Sequence, residues 1–341
     1  MWGIESVVAS PKPIFELHGM ADAIMNGVAQ GKTRFFMKRK TRLWLRFFLL
    51  VLLGGALYLL MLNYEQELVY APSPFVKKTP RDVGMAFDSI VFASDDGVNI
   101  QGWFIPAQSS DQPPATDSSR LTLLFFHGRS GNMSDSLEKL RLFHDMGLDV
   151  FAIDYHGYGA SGGTPSERAL TGDALAAYFY LVDKHKVKPE RLYLCGEDLG
   201  AAVAINLAAQ VAPAGLITEG ANASVLRKIE DDWPLIPWQY LLRNQFDSVT
   251  KIEDVHIPIL MFHSRDDEMM PFEDSHRLYI LAHEPKEIVE IHGSHRDAYV
   301  KSFDTYYDKI DQFVHGESRD KAAQTTSSAQ TDGTVSKQPA Q

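Results

Sequence analysis

The stretch "RLYLCGEDLGAAVAINLAAQ", residues 191–210, constrains the fold more than any other part of this chain. A short apolar run meets an alanine-rich run through a turn bracketed by Gly196 and Gly200. That order reads as a buried strand entering a helix through a sharp bend. The small neighbours Gly196, Gly200, Ala201 and Ala202 let helix and strand pack closely. At the apex of G-x-D-x-G stands Asp198. A carboxylate there is either a helix N-cap or a chemical group raised above the strand end.

Strands and helices alternate on both sides of this unit. "SIVFAS" and "VNIQGWFIP" read as a hairpin turned at Asp95, Asp96 and Gly97. "LTLLFFHG", "DVFAIDY", "RLYLCG", "AGLITEG", "PILMFHS" and "EIVEIHG" read as strands separated by helical segments, with a last amphipathic helix over 296–314. Continuous apolar strands alternating with helices predict an α/β fold with a mostly parallel sheet covered on both faces. Residues 221–256 break the rhythm and carry Trp233, Trp238 and Tyr240, which predicts a lid over the strand ends. Residues 64–316 are the expected folded domain, and the polar tail 317–341 is expected to be disordered.

"LWLRFFLLVLLGGALYLLML", residues 43–62, holds one charge in twenty residues. As a helix it covers about 30 Å, the thickness of a bilayer core. It is expected to be a single-pass membrane anchor rather than a cleaved signal, because no small-x-small site closely follows. Residues 1–46 carry eight Lys or Arg against three acids, and the net charge of −11 leaves −16 for the remainder. The basic side precedes the span, so residues 1–42 are expected in the cytoplasm and the large domain across the membrane. An acidic main domain argues against nucleic acid as a partner. "NMS" at Asn132 and "NAS" at Asn222 match glycan acceptors, a weak signal. With Cys195 the only cysteine, intramolecular disulfides and multi-cysteine metal sites are excluded. No cofactor or metal signature is present, and a small molecule is the expected substrate.

In open α/β sheets, ligands bind beyond the carboxyl ends of the strands. Four loops fall there. "FFHGRSGN" supplies the backbone N–H of Arg129, and the turn supplies that of Leu199, as candidate oxyanion donors. His127 reads as a residue shaping the first loop. The turn supplies Asp198. "HSRDDEMMP" supplies Asp267 as the acid that orients a histidine, with Asp266 the alternative. "HGSHRD" supplies His295 as the base, with His292 the alternative. His144, His185, His256, His276 and His283 read as surface residues.

The motifs "FFHGRSGN", "DYHGYGASGGTPSE", "GEDLGA", "SRDDEMMP" and "GSH", in this order, resemble the Bem46-like, ABHD13-type α/β-hydrolases from about Tyr64 to Val314. The resemblance implies the α/β-hydrolase fold and a serine hydrolase triad, whose three positions are held here by Asp198, Asp267 and His295. Aspartate in place of serine changes the chemistry. It is ionised at neutral pH and needs no base to attack. On an ester carbonyl it would form an anhydride, an uphill step. On a carbon bearing a halide or in an epoxide it would form a stable ester that His295-activated water can hydrolyse. That scheme resembles haloalkane dehalogenases and epoxide hydrolases, although Leu199 stands where dehalogenases usually carry tryptophan. The other expectation is an unreactive binding cleft.

Overall fold

The computed structural model describes residues 39–107, 120–232, 234–236 and 238–316. The expected cytoplasmic segment before residue 39, the tail 317–341 and Trp233 lie outside them. By internal contacts the chain divides into a unit ending at Met61 and a unit beginning at Leu62.

The first unit contains most of helix α1 (Arg39–Val69), which is longer than the apolar run at its centre. Residues Lys40–Glu67 are long and apolar enough to cross a membrane by length and composition.

The second unit is built on an eight-stranded sheet. Its strands are β2 (Asp88–Ala93), β3 (Asn99–Ile105), β4 (Thr122–Phe126), β6 (Asp149–Ile153), β7 (Leu192–Glu197), β8 (Gly215–Glu219), β9 (Ile259–Ser264) and β10 (Lys286–Ile291). Their spatial order is β10-β9-β8-β7-β4-β6-β3-β2. The six strands from β10 to β6 run parallel, and β3 and β2 are antiparallel at one edge. Two short strands, β1 (Ala71–Pro72) and β5 (Ser130–Gly131), pair outside this sheet.

The sequence dictates the layers. β4, β6, β8 and β9 are buried at every position, as apolar strands covered on both faces must be. The pleat sends Leu124 and Phe126 to one side, Leu123 and Phe125 to the other. On the first side pack α3 (Glu167–Phe179), α4 (Leu199–Ala208), α6 (Ser248–Ile252) and α7 (Phe272–Leu281). On the second pack α2 (Leu137–Asp145) and helix 303–316. The last helical stretch is not continuous from 296. A short α8 (Ala298–Lys301) precedes it, and Ser302 interrupts the two by bonding through its hydroxyl to both His292 N–H and His292 C=O.

The chain leaves β4 in one direction to β6 and returns on the other side to β7. That reversal opens a crevice beyond the carboxyl ends of β4 and β7. The loops carrying Arg129 and Asp198 both emerge there.

Two surface expectations are corrected. His144 is buried on α2 beside Asp145 rather than exposed. Asn132 and Asn222 are also buried, and Asn132 Nδ2 donates to the carbonyls of Ser73 and Phe75. Neither triplet offers a free amide for a glycan.

Candidate functional site

Asp198 sits at the bend between β7 and α4 with φ +52° and ψ −117°. A side chain in this region costs about 1–3 kcal/mol and persists only where the surroundings enforce it. The enforcement is steric. A Cβ on Gly196 would lie 2.1 Å from the Gly200 carbonyl oxygen, and one on Gly200 would lie 2.1 Å from that of Phe126. The Asp198 N–H is also tied to the Glu219 carbonyl at 3.0 Å. No side-chain cap bond forms from Asp198 to α4, so the N-cap reading fails.

The carboxylate turns instead toward the loop after β4, where the Arg129 N–H donates to Asp198 Oδ2 at 3.0 Å. That donor is braced. The Arg129 carbonyl accepts Ala71 N–H at 3.0 Å and the Tyr158 hydroxyl at 2.7 Å, and Tyr155 donates to the His127 carbonyl at 2.7 Å. His127 is buried with its ring against Tyr155 and Tyr158, the shaping role expected of it. Burial pushes the Asp198 carboxyl above its ordinary pKa; the Arg129 and Leu199 N–H groups and the His295 charge oppose that rise without cancelling it. Arg129 Nε is buried without a hydrogen-bond partner among the described residues.

Across the crevice, His295 Nδ1 lies 2.7 Å from Asp267 Oδ2. Asp267 is fixed through its other oxygen by the N–H groups of Met269 and Met270, each at 2.8 Å. Burial would raise the Asp267 pKa, but the His295 bond and these two N–H donors outweigh it and the net direction is down. An ionised Asp267 accepts the Nδ1 proton, so a neutral His295 carries its lone pair on Nε2. Burial lowers the His295 pKa, yet the Asp267 bond and the Asp198 charge win and raise it. Asp198, Asp267 and His295 line one cavity of about 430 Å³ together with Arg129. The alternatives separate from it: His292 pairs with Asp266 at 3.2 Å, both largely exposed.

The floor of this cavity is a charge cluster that the sequence did not announce. Lys139 of α2 is buried between Glu197 at 2.5 Å and Glu219 at 2.7 Å. Ser136 donates to Glu197 and the Tyr306 hydroxyl to Glu219, both at 2.9 Å. Burial disfavours the Lys139 charge, but the two carboxylates overcome it and hold the ammonium protonated. Lys139 is therefore held as a cation between two carboxylates. His263 was also missed. It is buried behind Asp267, bonded to Ser275 and Met270, with Nε2 3.8 Å from Asp267 Oδ2.

A second, apolar pocket of about 130 Å³ meets Asp198 from the other side. Val225 and Ile229 of α5 (Val225–Asp232), with Val69, Phe246 and Met270, line it. The 221–256 segment thus lines this pocket through Asn222, Val225, Ile229 and Phe246, and not through Trp238 or Tyr240. Tyr240 is 80% exposed. Among the described residues, no group of three His, Cys, Asp or Glu could hold a metal ion.

Strand order, the strained turn and the chain order of turn, acid and histidine define a class of protein, the α/β hydrolases. Residues 117–246 match a hydrolase family model described as serine aminopeptidase, S33. The uncharacterized protein Rv2307c of Mycobacterium tuberculosis is 32% identical over 267 residues, covering 78% of this chain and 92% of that protein. The lysophosphatidylserine lipase ABHD12 of Danio rerio is 28% identical, covering 62% of this chain and 63% of that one. The solved Pyrococcus furiosus esterase Pf2001 aligns with a TM-score of 0.58 at 18% identity, over 72% of this chain and 96% of its own, a likeness of fold. The chain belongs to the α/β-hydrolase family.

Proposed function

We propose that the chain is a membrane-anchored, Bem46-like, ABHD13-type hydrolase in which Asp198 is the nucleophile, Asp267 the orienting acid and His295 the base. The observation that carries this is the Asp198 carboxylate itself. Its Oδ2 already takes the Arg129 N–H at 3.0 Å, which leaves Oδ1 as the attacking atom. A serine hydroxyl would leave those donors open for a substrate carbonyl. Here the donors are arranged for the enzyme's own carboxyl group.

The substrate is then a small epoxide or haloalkane, or another molecule with a leaving group on saturated carbon. Oδ1 attacks that carbon and Asp198 becomes an alkyl ester; the carbon–halogen bond breaks to release halide ion, or the strained carbon–oxygen bond breaks to leave an alkoxide on the substrate that takes a proton from water. Arg129, with its unpartnered Nε, is the cation set to meet the departing anion. His295 Nε2 next takes a proton from water, and the hydroxide attacks Cγ of Asp198. Charge develops on Oδ2, the oxygen held by the Arg129 N–H, with the Leu199 N–H as the second proposed donor. Collapse releases the alcohol, which leaves with the former Oδ1 and the proton from His295. In this reading residues 1–42 are cytoplasmic and the hydrolase unit lies across the membrane.

A single turnover in heavy-oxygen water tests the scheme. One label must appear in the Asp198 peptide and none in the first equivalent of alcohol; turnover with label in the product alone excludes the covalent step.

A second reading rests on the same contact. With Oδ2 in the oxyanion donors, an ester carbonyl finds them filled, and the cleft becomes a ligand-binding module. Asp198→Ser discriminates. A gain of esterase activity over a parent inert toward esters, epoxides and haloalkanes favours the binding module.

A further inference from the structure

Glu197 closes β7 and Glu219 closes β8, and the two stand opposite each other in the parallel register of these strands. Both side chains turn to the face of Cys195 and Ile217, which α2 and helix 303–316 cover. Each strand end also carries part of the site. Asp198 follows Glu197 directly, and its N–H is held by the Glu219 carbonyl at 3.0 Å. Gly220 follows Glu219 with φ +57°, and a Cβ there would lie 3.6 Å from His295 Cε1 and 3.8 Å from Asp267 Oδ2. These two strand ends therefore meet both sides of the site.

Two buried carboxylates side by side repel, and a low dielectric leaves the repulsion strong. Lys139 stands between them, 2.5 Å from Glu197 Oε2 and 2.7 Å from Glu219 Oε2. Its ammonium also lies 4.5 Å from the centre of the Tyr299 ring on α8, the helix that leaves the His295 loop. One buried cation thus touches β7, β8 and α8. Around the carboxylates stand the Ser136 and Tyr306 hydroxyls, the Cys195 thiol and, from the loop after β4, His127. Burial would raise the Glu197 carboxyl pKa, but the Lys139 charge and the hydrogen bonds from Lys139 and Ser136 overcome it, and the net direction is down. The chemistry assigned above to Asp198, Asp267 and His295 makes no use of this ammonium.

We propose that Lys139 is a positioning residue: by holding Glu197 and Glu219 together it fixes the spacing of the β7 and β8 ends, and with it the aim of Asp198 and its distance from His295. The effect on reaction rests on the nucleophile reading above; the effect on the bend does not. Without the ammonium, the two carboxylates must share a proton or part. That gives the role a signature that filling space alone lacks, because either a proton or the loss of one carboxylate should replace Lys139.

The test compares the full chain in detergent with Lys139→Met, which keeps a long unbranched side chain, and with Lys139→Met/Glu197→Gln, which also removes the repulsion. Hydrogen exchange on the peptides holding the Asp198 and Gly220 amides, corrected for its intrinsic pH dependence, reads the bend without any reaction. At neutral pH it should quicken by about 10-fold or more in Lys139→Met and return to within about three-fold of the parent in the double variant. It should also return in Lys139→Met as pH falls and a shared proton takes the place of the ammonium, while β6 stays unchanged throughout. Ester formation on Asp198 with 1,2-epoxyhexane should follow the same order, roughly 100-fold slower in Lys139→Met and within about 10-fold of the parent in the double variant. Parent-like exchange in Lys139→Met, a loss that Glu197→Gln does not restore, or altered exchange with ester formation at the parent's rate overturns the proposal. A Lys139→Met chain that does not fold at neutral pH must fold near about pH 5, and failure at both overturns it too. Exchange that changes as expected while no variant, parent included, forms an ester removes the nucleophile reading and leaves Lys139 as the residue that positions the bend.

Discussion

Among the described residues two histidine–aspartate pairs share one length, and one of them lines the cavity with Asp198. His156 Nδ1 lies 2.7 Å from Asp173, and His295 Nδ1 lies 2.7 Å from Asp267. The first pair is sealed. His156 Nε2 meets Asp96 at 3.1 Å, both His156 and Asp173 are buried, and the His156 N–H also bonds Asp173 at 2.8 Å. The second is open: Asp267 and the backbone take one side of the ring, and the cavity with Asp198 lies on the other. An acid–imidazole contact is thus as useful for clamping the loop after β6 as for activating water. What separates the two is the state of Nε2.

The largest effect should come from closing that difference by mutation. His295→Gln removes the base but leaves Asp198 able to attack. One equivalent of leaving group should be released, the alkylated Asp198 peptide should accumulate, and steady-state turnover should fall by roughly 10⁴-fold or more. Mass spectrometry of the peptide after quenching checks it. Prompt multiple turnover would show that His295 is not the base. His156→Gln should give no such trapped ester.

Asp267→Asn comes next. An amide in place of the carboxylate loses the charge and favours the wrong imidazole tautomer, so turnover should drop by roughly 10²–10⁴-fold with the Asp198 ester again visible. Asp173→Asn, the matching change in the sealed pair, should leave turnover per folded molecule within about two-fold of the parent. Its cost should appear as stability, about 1–3 kcal/mol for a buried polar group left with a poorer partner. For a unit this size each kcal/mol lowers Tm by about 2–4 °C. Calorimetry and active-site titration on the same samples separate the two effects.

The sequence distinguishes these pairs poorly, and the reason is physical. "DYHGYG" and "HGSHRD" are both glycine-rich loops that follow an apolar strand. The second carboxylate sealing His156 comes from the β2–β3 turn, sixty residues away along the chain. The strands, their parallel pairing and the bend at Asp198 were legible because they depend on local runs of apolar and small residues. Lys139 was not. A lysine in "LEKLRLF" reads as a solvated helix position, and only Glu197 and Glu219, delivered by two other strands, make its burial tolerable. Tyr240, counted with Trp233 and Trp238 toward a lid, is 80% exposed. An aromatic side chain by composition favours burial, and only the backbone path shows that this one faces away from the core.

The smallest effect is a shift in pH dependence, and its sign follows from the same contrast. Burial lowers the His295 pKa, but the Asp267 bond and the Asp198 charge raise it by more, so its net direction is up. His295 works as a base only when neutral, so the rate of the ester-hydrolysis step should rise with pH through the His295 midpoint, which lies lower in the ester intermediate than in the free enzyme because the esterified Asp198 no longer contributes its charge. The linked stability has the opposite slope. A histidine with a raised pKa stabilises the fold fully below its unfolded pKa, and that contribution is lost as pH rises through the folded value. Asp267, with a lowered pKa, stabilises above the unfolded carboxylate value and loses that contribution as pH falls through the folded one. Asp267→Asn should move the rate midpoint further down, because the raising bond weakens while burial remains. Asp173→Asn should leave the midpoint in place, since its histidine never touches the reacting water. A stopped-flow pH series on the second step reads both, and a midpoint that moves with Asp173 instead would reverse the assignment of the open and sealed pairs.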